Sequence, residues 1–472
     1  MTAPFVPPVR RRLRSGWAIR PFPRARALAT LVAGRVSDNL ERTLILAGAV
    51  AALVTLLALG QTPGKIAAAR ELIGEGLWPW VGRPVALLST LALTSLAWRV
   101  ALWLGYRPMA PLAALDPELP ALTVVIPSFN EGETVFQTIT SLLASDYPAD
   151  RLQICCVDDG SRDDTLAWAR AAARLAPNQV TVIALEKNAG KRHALYAGFQ
   201  RVKTPFVVTV DSDTVVTPDT LRALVTPMVR DPRVGAVAGR IDVLNRESNL
   251  LTRMLAVRYR IGFDFARAYQ SQLGSVFVTP GALSCYRVAV VKPHWDAWRD
   301  IRFLGAPCNN GDDHHMANRV LWAGARTVYQ SNAVARTTVP ETYRRLSLMY
   351  LRWTRSNLRE STLYLGHLPT LIRAPRRWPA IVDALASYVQ IPLRLYLVVV
   401  GWALLLWQPM LIGRVVTAAL LFSLIHALIF LRSERSWDAV YTLAYALFAL
   451  FALQWIYPAA LLTIRQSRWL TR

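Results

Sequence analysis

Apolar residues are distributed along this chain in two distinct ways. Uninterrupted apolar stretches cover residues 44–59 and 85–97, and again 395–412, 415–431 and 439–464. With its flanks, each comes near the roughly 20 residues a helix needs to cross hydrocarbon. Between them the pattern changes to short β-rich runs at 122–126, 152–157, 180–185, 206–210 and 234–238. Helical periodicity separates these runs at 164–175 and 218–229, with Thr217 or Asp219 near the second start. Strands alternating with helices predict an α/β domain with a mostly parallel sheet, whose ligands collect at the carboxyl ends of the strands. The expected organisation is therefore an Arg-rich segment (1–42), two membrane helices (43–105), a cytoplasmic domain (119–336), amphipathic interface helices (337–378), three or four membrane helices (379–465) and a basic tail (466–472).

Charge supports that division. Of the formal +23, residues 1–42 contribute nine Arg against Asp38 and Glu41, and residues 344–377 contribute eight Arg against Glu360. Both blocks border apolar segments, and the positive-inside tendency places them in the cytoplasm, where anionic head groups add about 1 kcal/mol per basic residue. Because the Arg clusters track membrane boundaries, nucleic acid is not the expected partner. The first apolar stretch lies too far from the start for a secretory signal and reads as an uncleaved anchor. The tail also favours the cytoplasm, which requires six spans where the apolar runs count five. Cys155, Cys156, Cys285 and Cys308 have no metal-type spacing, and a cytoplasmic domain predicts buried thiols without disulfides.

Three acidic clusters carry the candidate chemistry. Asp158 and Asp159 follow one apolar run, and Asp211 and Asp213 follow another. The first pair also suits a turn and helix cap. For the second, two charges at ~4 Å and an effective dielectric near 20 cost about 4 kcal/mol, which a divalent cation relieves. Oxygen ligands favour Mg²⁺ or Mn²⁺, ions that also take substrate phosphates. Between the clusters, Lys187 to Arg192 reads as a basic turn suited to a diphosphate, but it lacks the glycine and hydroxyl spacing of a P-loop. Asp312 and Asp313 follow Gly311 on an expected turn and supply a base for an acceptor hydroxyl. His314 and His315 are adjacent, so on a helix they point about 100° apart and do not converge on a metal.

Taken in order, the motifs VVIPSFNE (124–131), VDDGS (157–161), GKRHA (190–194), DSD (211–213), PGALSCYR (280–287), GDD (311–313) and RWTRSNLRE (352–360) resemble the processive glycosyltransferases of family 2. The nearest likeness is to hyaluronan synthases and nodulation chitooligosaccharide synthases. This resemblance implies a type A, nucleotide-sugar-binding fold embedded between transmembrane helices of the inner membrane. It implies that Asp158 or Asp159, with Lys191 and Arg192, holds the nucleotide of a UDP-sugar donor. Asp211 and Asp213 would hold donor and metal, and Asp313 would be the base. Pro280, Gly281, Ala282 and Leu283, with Asp312, Arg352 and Trp353, would meet the growing polysaccharide acceptor. Two positions depart from the family pattern: Met349 replaces a glutamine, and His314 replaces a basic residue.

Asp383, Ser387, Gln390 and Arg394 are spaced to fall within about 60° of one another on a helix. Such a polar stripe suits either a glycan channel or an interfacial helix, the second because Pro392 interrupts the run. Tyr396, Trp402 and Trp407 read as interfacial anchors rather than sugar-stacking rings. The reading is an inverting, membrane-embedded transferase that polymerises a UDP-sugar into a β-linked polysaccharide and exports it. The alternatives are transfer of one sugar to a lipid carrier, or a scaffold among the subunits of a secretion complex. A transporter is disfavoured, since no repeated span pattern occurs.

Overall fold

The computed structural model describes residues 67, 70, 71, 73–76, 78–113, 115, 117–372 and 378–466. The Arg-rich segment and the apolar run at 44–59 lie outside them.

The predicted strands all form, as β1 (Leu122–Ser128), β2 (Leu152–Asp158), β3 (Val180–Ala184), β4 (Phe206–Thr209) and β6 (Val234–Val243). Three further strands complete the sheet: β5 (Thr214–Val216), β7 (Ser284–Arg287) and β10 (Arg326–Thr337); β8 (Arg302–Phe303) and β9 (Ala306–Pro307) make a separate ribbon. The spatial order is β3-β2-β1-β4-β7-β6-β10-β5. All pairings among β1, β2, β3 and β4 are parallel, as is β6 with β10, whereas β7 runs antiparallel to both neighbours and β5 antiparallel to β10.

Helices cover both faces, which is why the strands read as continuous apolar runs. Alternate residues of a strand point to opposite faces. Val124 and Ile126 thus pack with Val135, Ile139 and Leu142 of α2 (Thr134–Leu143), Ala169 and Ala172 of α3 (Thr165–Leu175), and Leu221 and Leu224 of α5 (Thr220–Arg230). Val125 packs on the other side with Leu195 and Phe199 of α4 (Lys191–Phe199), with Trp298, and with Met316 and Val320 of α7 (Asp312–Trp322). All four cysteines are buried free thiols.

Around this domain lie α1 (Gly82–Gly105), α6 (Leu250–Arg260), α8 (Tyr343–Gly366), α9 (Trp378–Trp407), α10 (Leu411–Glu434), α11 (Val440–Ala452) and α12 (Ile456–Leu462). Asn249 caps α6 reciprocally with Thr252, a capping box, and α6 runs on through a π-helical turn at Ile261–Arg267. Among the described residues, Gly82–Gly105 and Ile412–Glu434 are long and apolar enough to cross a membrane. A third span results if the pair Trp437–Ala452 and Ile456–Leu462, bent by 49°, counts as one. Two expectations change here. The apolar run at 395–412 breaks after Trp407, and α9 continues through Pro392 rather than stopping there.

Candidate active site

The acidic clusters converge at the carboxyl ends of β2 and β4. Lys191 joins them to the third cluster: its Nζ lies 2.5 Å from Asp211 Oδ1 and 3.8 Å from Asp312 Oδ2. Burial alone would lower the lysine pKa, but the Asp211 and Asp312 carboxylates outweigh that and raise it above its ordinary value, so the ammonium is permanent. Lys191 is the first residue of α4, with Gly190 as N-cap, so the expected basic turn, Lys187 to Arg192, ends two residues early and its last two residues are helical.

Adjacent helical residues diverge, and Arg192 does not share the position of Lys191. It is 1% exposed, lies over the Trp298 ring and donates to the Asn310 carbonyl at 3.2 Å. Where donor contact was expected, Arg192 is thus buried against Trp298 and Asn310, with Nε and Nη1 left without hydrogen-bond partners among the described residues.

The first acidic pair also divides. Asp159 accepts from the backbone N–H groups of Ala189 and Gly190, both at 2.8 Å, and so pins the loop before α4. Burial raises its pKa and these two amides oppose the rise. Asp158 accepts from the Ser161 N–H through Oδ2, while its buried Oδ1 has no hydrogen-bond partner among the described residues. A buried acceptor without a donor is costly, and a ligand hydroxyl or N–H would satisfy it. Of the two, Asp158 keeps an acceptor open, whereas both oxygens of Asp159 are taken up by its own backbone.

Asp312 and Asp313 are not on a turn but are the first two residues of α7, where the helix dipole favours carboxylates. Gly311 caps that helix with φ +79°, and a Cβ there would sit 2.0 Å from Ser356 Oγ, so only glycine fits. Asp313 Oδ1 accepts from the His314 N–H at 2.8 Å. Burial first, then repulsion by Asp312, pushes its pKa up to about 6 against the pull of Lys191. At neutral pH it is ionised and a stronger base than an ordinary aspartate.

The loop at 280–283 approaches the same point. A Cβ on Gly281 would lie 2.7 Å from Lys191 Nζ and 3.5 Å from Asp211 Oδ1, so the absence of a side chain lets the loop close on both. Pro280 turns the chain by accepting from the Leu283 N–H and the Ser284 hydroxyl, and Ala282 is half-buried. Leu283 departs from its expected place against the acceptor: it is fully buried, packed over Gly239 in the sheet core.

Arg352 and Trp353 lie on α8. Trp353 is 43% exposed and leans on Tyr350 and on Tyr259, with ring centroids 5.7 and 6.1 Å away. Burial raises the Tyr259 pKa, Asp213 adds to the rise and Arg352 opposes it, so the tyrosine lies within electrostatic reach of both. Met349 points into an apolar cluster with Leu255, Val339 and Leu346, which accounts for an apolar residue where the family pattern has glutamine.

Both nitrogens of His315 are engaged within the fold. His315 Nε2 accepts from Arg319 Nε at 3.1 Å, which makes Nδ1 the donor to Glu360 Oε2 at 2.8 Å. Burial lowers its pKa, so the ring is neutral and ties α7 to α8. Burial likewise pushes His314 down to about 4.

Among the described residues no group of three or more His, Cys, Asp or Glu is placed to hold a metal ion. Asp211 engages Lys191, and Asp213 Oδ1 accepts from the Thr214 and Thr337 hydroxyls. Two carboxylates with only oxygen donors fit a Mg²⁺-type ion that completes its shell with substrate phosphate and water.

In the expected channel stripe, Asp383 is 2% exposed and pairs with Arg99 of α1 at 2.9 Å; the same guanidinium donates to Ser387 at 2.7 Å. Gln390 and Arg394 lie on the same helix, with side chains outside those described.

Tyr259, Trp298 and Asn310 are site residues that motif reading passed over. The first two carry no local signal, but Asn310-Gly311 is a dipeptide typical of a left-handed turn and marks the start of α7.

Residues 120–356, half the chain, match the model of the family described as "Glycosyltransferase like family 2". An N-acetylglucosaminyltransferase of Azorhizobium caulinodans is 30% identical over 82% of this chain and 98% of its own length. A hyaluronan synthase of Streptococcus pyogenes is 34% identical over 59% of this chain and 66% of its own. A mannosyltransferase from Pyrobaculum calidifontis, solved with GDP-Man and Mn²⁺, shares the fold at TM-score 0.55 and 22% identity, over 82% of this chain and 99% of that one. With the motifs spread over the matched residues and the carboxylates gathered around Lys191, the chain belongs to the family 2 glycosyltransferases, membrane-associated enzymes that act on nucleotide-sugar donors.

Proposed function

We propose that this enzyme polymerises a UDP-sugar into a β-linked extracellular polysaccharide, using Mg²⁺ or Mn²⁺, from a multi-pass position in the inner membrane with its catalytic domain in the cytoplasm. The observation that carries the reading is Lys191, which links the donor-side Asp211 to Asp312 beside the base. Asp158 holds the nucleotide through its unpartnered oxygen. Asp211 and Asp213 would hold the divalent ion, which would supply positive charge to the diphosphate. Asp313 takes the proton of the acceptor hydroxyl; that oxygen forms its bond to the anomeric carbon from the opposite side as the carbon–UDP bond breaks, so configuration inverts. The Lys191 ammonium faces the charge that develops on the leaving diphosphate. Trp353, propped by Tyr259 and Tyr350, offers a ring for the acceptor sugar, with Arg352 and the 280–283 loop beside it. Membrane lipids surround the apolar helices.

A second reading, transfer of a single sugar to a lipid carrier, is favoured by one observation: Arg99 occupies Asp383 and Ser387, so those two residues do not line a channel. The test is UDP release by the protein in lipid nanodiscs from a panel of UDP-sugars, with product sizing. UDP-N-acetylglucosamine comes first, because relatives are named N-acetylglucosaminyltransferases. Long polymer supports polymerisation, a one-sugar lipid product supports the second reading, and a preparation that releases no UDP from any donor refutes both.

A further inference from the structure

The base-bearing helix α7 is held by something other than the carboxylates around it. Asn310, the residue before its glycine cap, is 3% exposed and gripped from two sides. Its carbonyl accepts from Arg192 Nη2 at 3.2 Å, and its side-chain oxygen accepts from Arg359 Nη2. Arg192 neighbours Lys191 on α4, while Arg359 lies two turns beyond Arg352 and Trp353 on α8. Arg359 is itself tied down: Nη1 donates to the carbonyls of Ile464 at 3.0 Å and Gln466 at 3.3 Å, just past the last helix. Arg355 reinforces that tie through Thr463 and Gln466. Trp298 lies under the Arg192 guanidinium and donates to the Asp312 carbonyl at 2.9 Å. Gly311 itself packs close against α8, where an added Cβ would strike the Ser356 hydroxyl.

We propose that Asn310 is a positioning residue, the joint through which Arg192 on the donor side and Arg359 on the acceptor side set the Asp313 carboxylate against the acceptor hydroxyl. The inference rests on Asp313 as the base. Asn310 touches no substrate; it fixes where α7 begins. Its loss shifts the base without removing the nucleotide contacts, and a displacement of about 1 Å costs on the order of a hundredfold in rate.

The test compares Asn310→Ala, Asn310→Asp and Asp313→Asn in nanodiscs by UDP release, with thermal unfolding as a check of folding. Asn310→Ala is expected to lower kcat on the order of ten- to a hundredfold, with donor KM within about threefold. Asn310→Asp, which keeps the oxygen that Arg359 needs, is expected to restore most of that kcat. Wild-type kcat in folded Asn310→Ala overturns the proposal, as does a loss expressed only in donor KM. Should Asn310→Ala not fold, Arg359→Met carries the same expected and overturning outcomes. Asp313→Asn separates the two ideas. If it is silent while Asn310→Ala is normal, the joint fails and the base stands; if it is fully active, the base assignment fails.

Discussion

Replacing Asp313 by Asn should abolish transfer and stabilise the protein at the same time. The carboxylate is half-buried beside Asp312, and desolvation followed by the repulsion of Asp312 raises its pKa from an ordinary 3.8 to about 6. Between those two values the native state binds protons that the unfolded chain has released, so stability falls as pH rises through this window. Two pH units correspond to a cost on the order of 3 kcal/mol for carrying the charge at neutral pH, and the cost disappears below about pH 4. Asn keeps the shape and removes the charge. Nucleotide-free Asp313→Asn in nanodiscs should therefore unfold at a higher temperature than wild type at pH 7.5, with the difference vanishing near pH 4. The same shift governs wild-type turnover. The base is about 90% ionised at pH 7 and about 10% at pH 5, so kcat/KM should halve near pH 6 and fall with unit slope below it. Asp312→Asn removes the neighbouring repulsion and should move that acid limb downward. An Asp313→Asn variant no more stable than wild type at pH 7.5, or a wild-type acid limb near pH 4, would refute the argument.

Asp158→Asn should raise donor KM about tenfold with little change in kcat, because the unpartnered oxygen meets the nucleotide; Asp159→Asn should instead lower stability by about 1 kcal/mol, since its amide group can accept from only one of the Ala189 and Gly190 N–H groups, read as thermal unfolding. Gly281→Ala forces a Cβ to within 2.7 Å of Lys191 Nζ, so the ammonium swings aside and kcat should fall about tenfold, measured as UDP release. Arg99→Ala leaves Asp383 buried without its cation and should destabilise the protein by about 3–5 kcal/mol, with partial recovery in the double variant Arg99→Ala, Asp383→Asn.

What the chain reveals before folding follows from which forces are local. Strands buried on both faces, such as Val124 to Ile126, announce themselves as apolar runs, and the carboxylates after them mark the ligand edge of a parallel sheet. β10 escaped because RTVYQSNAVART is mostly polar; its place comes from pairing with β6 and β5, a non-local decision. β7 is only four residues long and gains its identity by closing the gap between β4 and β6. The site divides in the same way. Residue type marked Asp158, Asp159, Lys191 and Arg192 as equals, and only side-chain direction separates Asp158, with an acceptor left open, and Lys191, which reaches Asp211 and Asp312, from Asp159, which binds its own backbone, and Arg192, which lies over the Trp298 ring. Direction on a helix depends on where the helix starts, and both α4 and α7 start at a glycine that the motifs already contain. Gly190 at φ +96° and Gly311 at φ +79° set the phase of Lys191 and Asp313. A glycine of positive φ directly before a charged pair therefore carries more information than the pair alone, because it marks where the helix begins and hence that the two charges diverge.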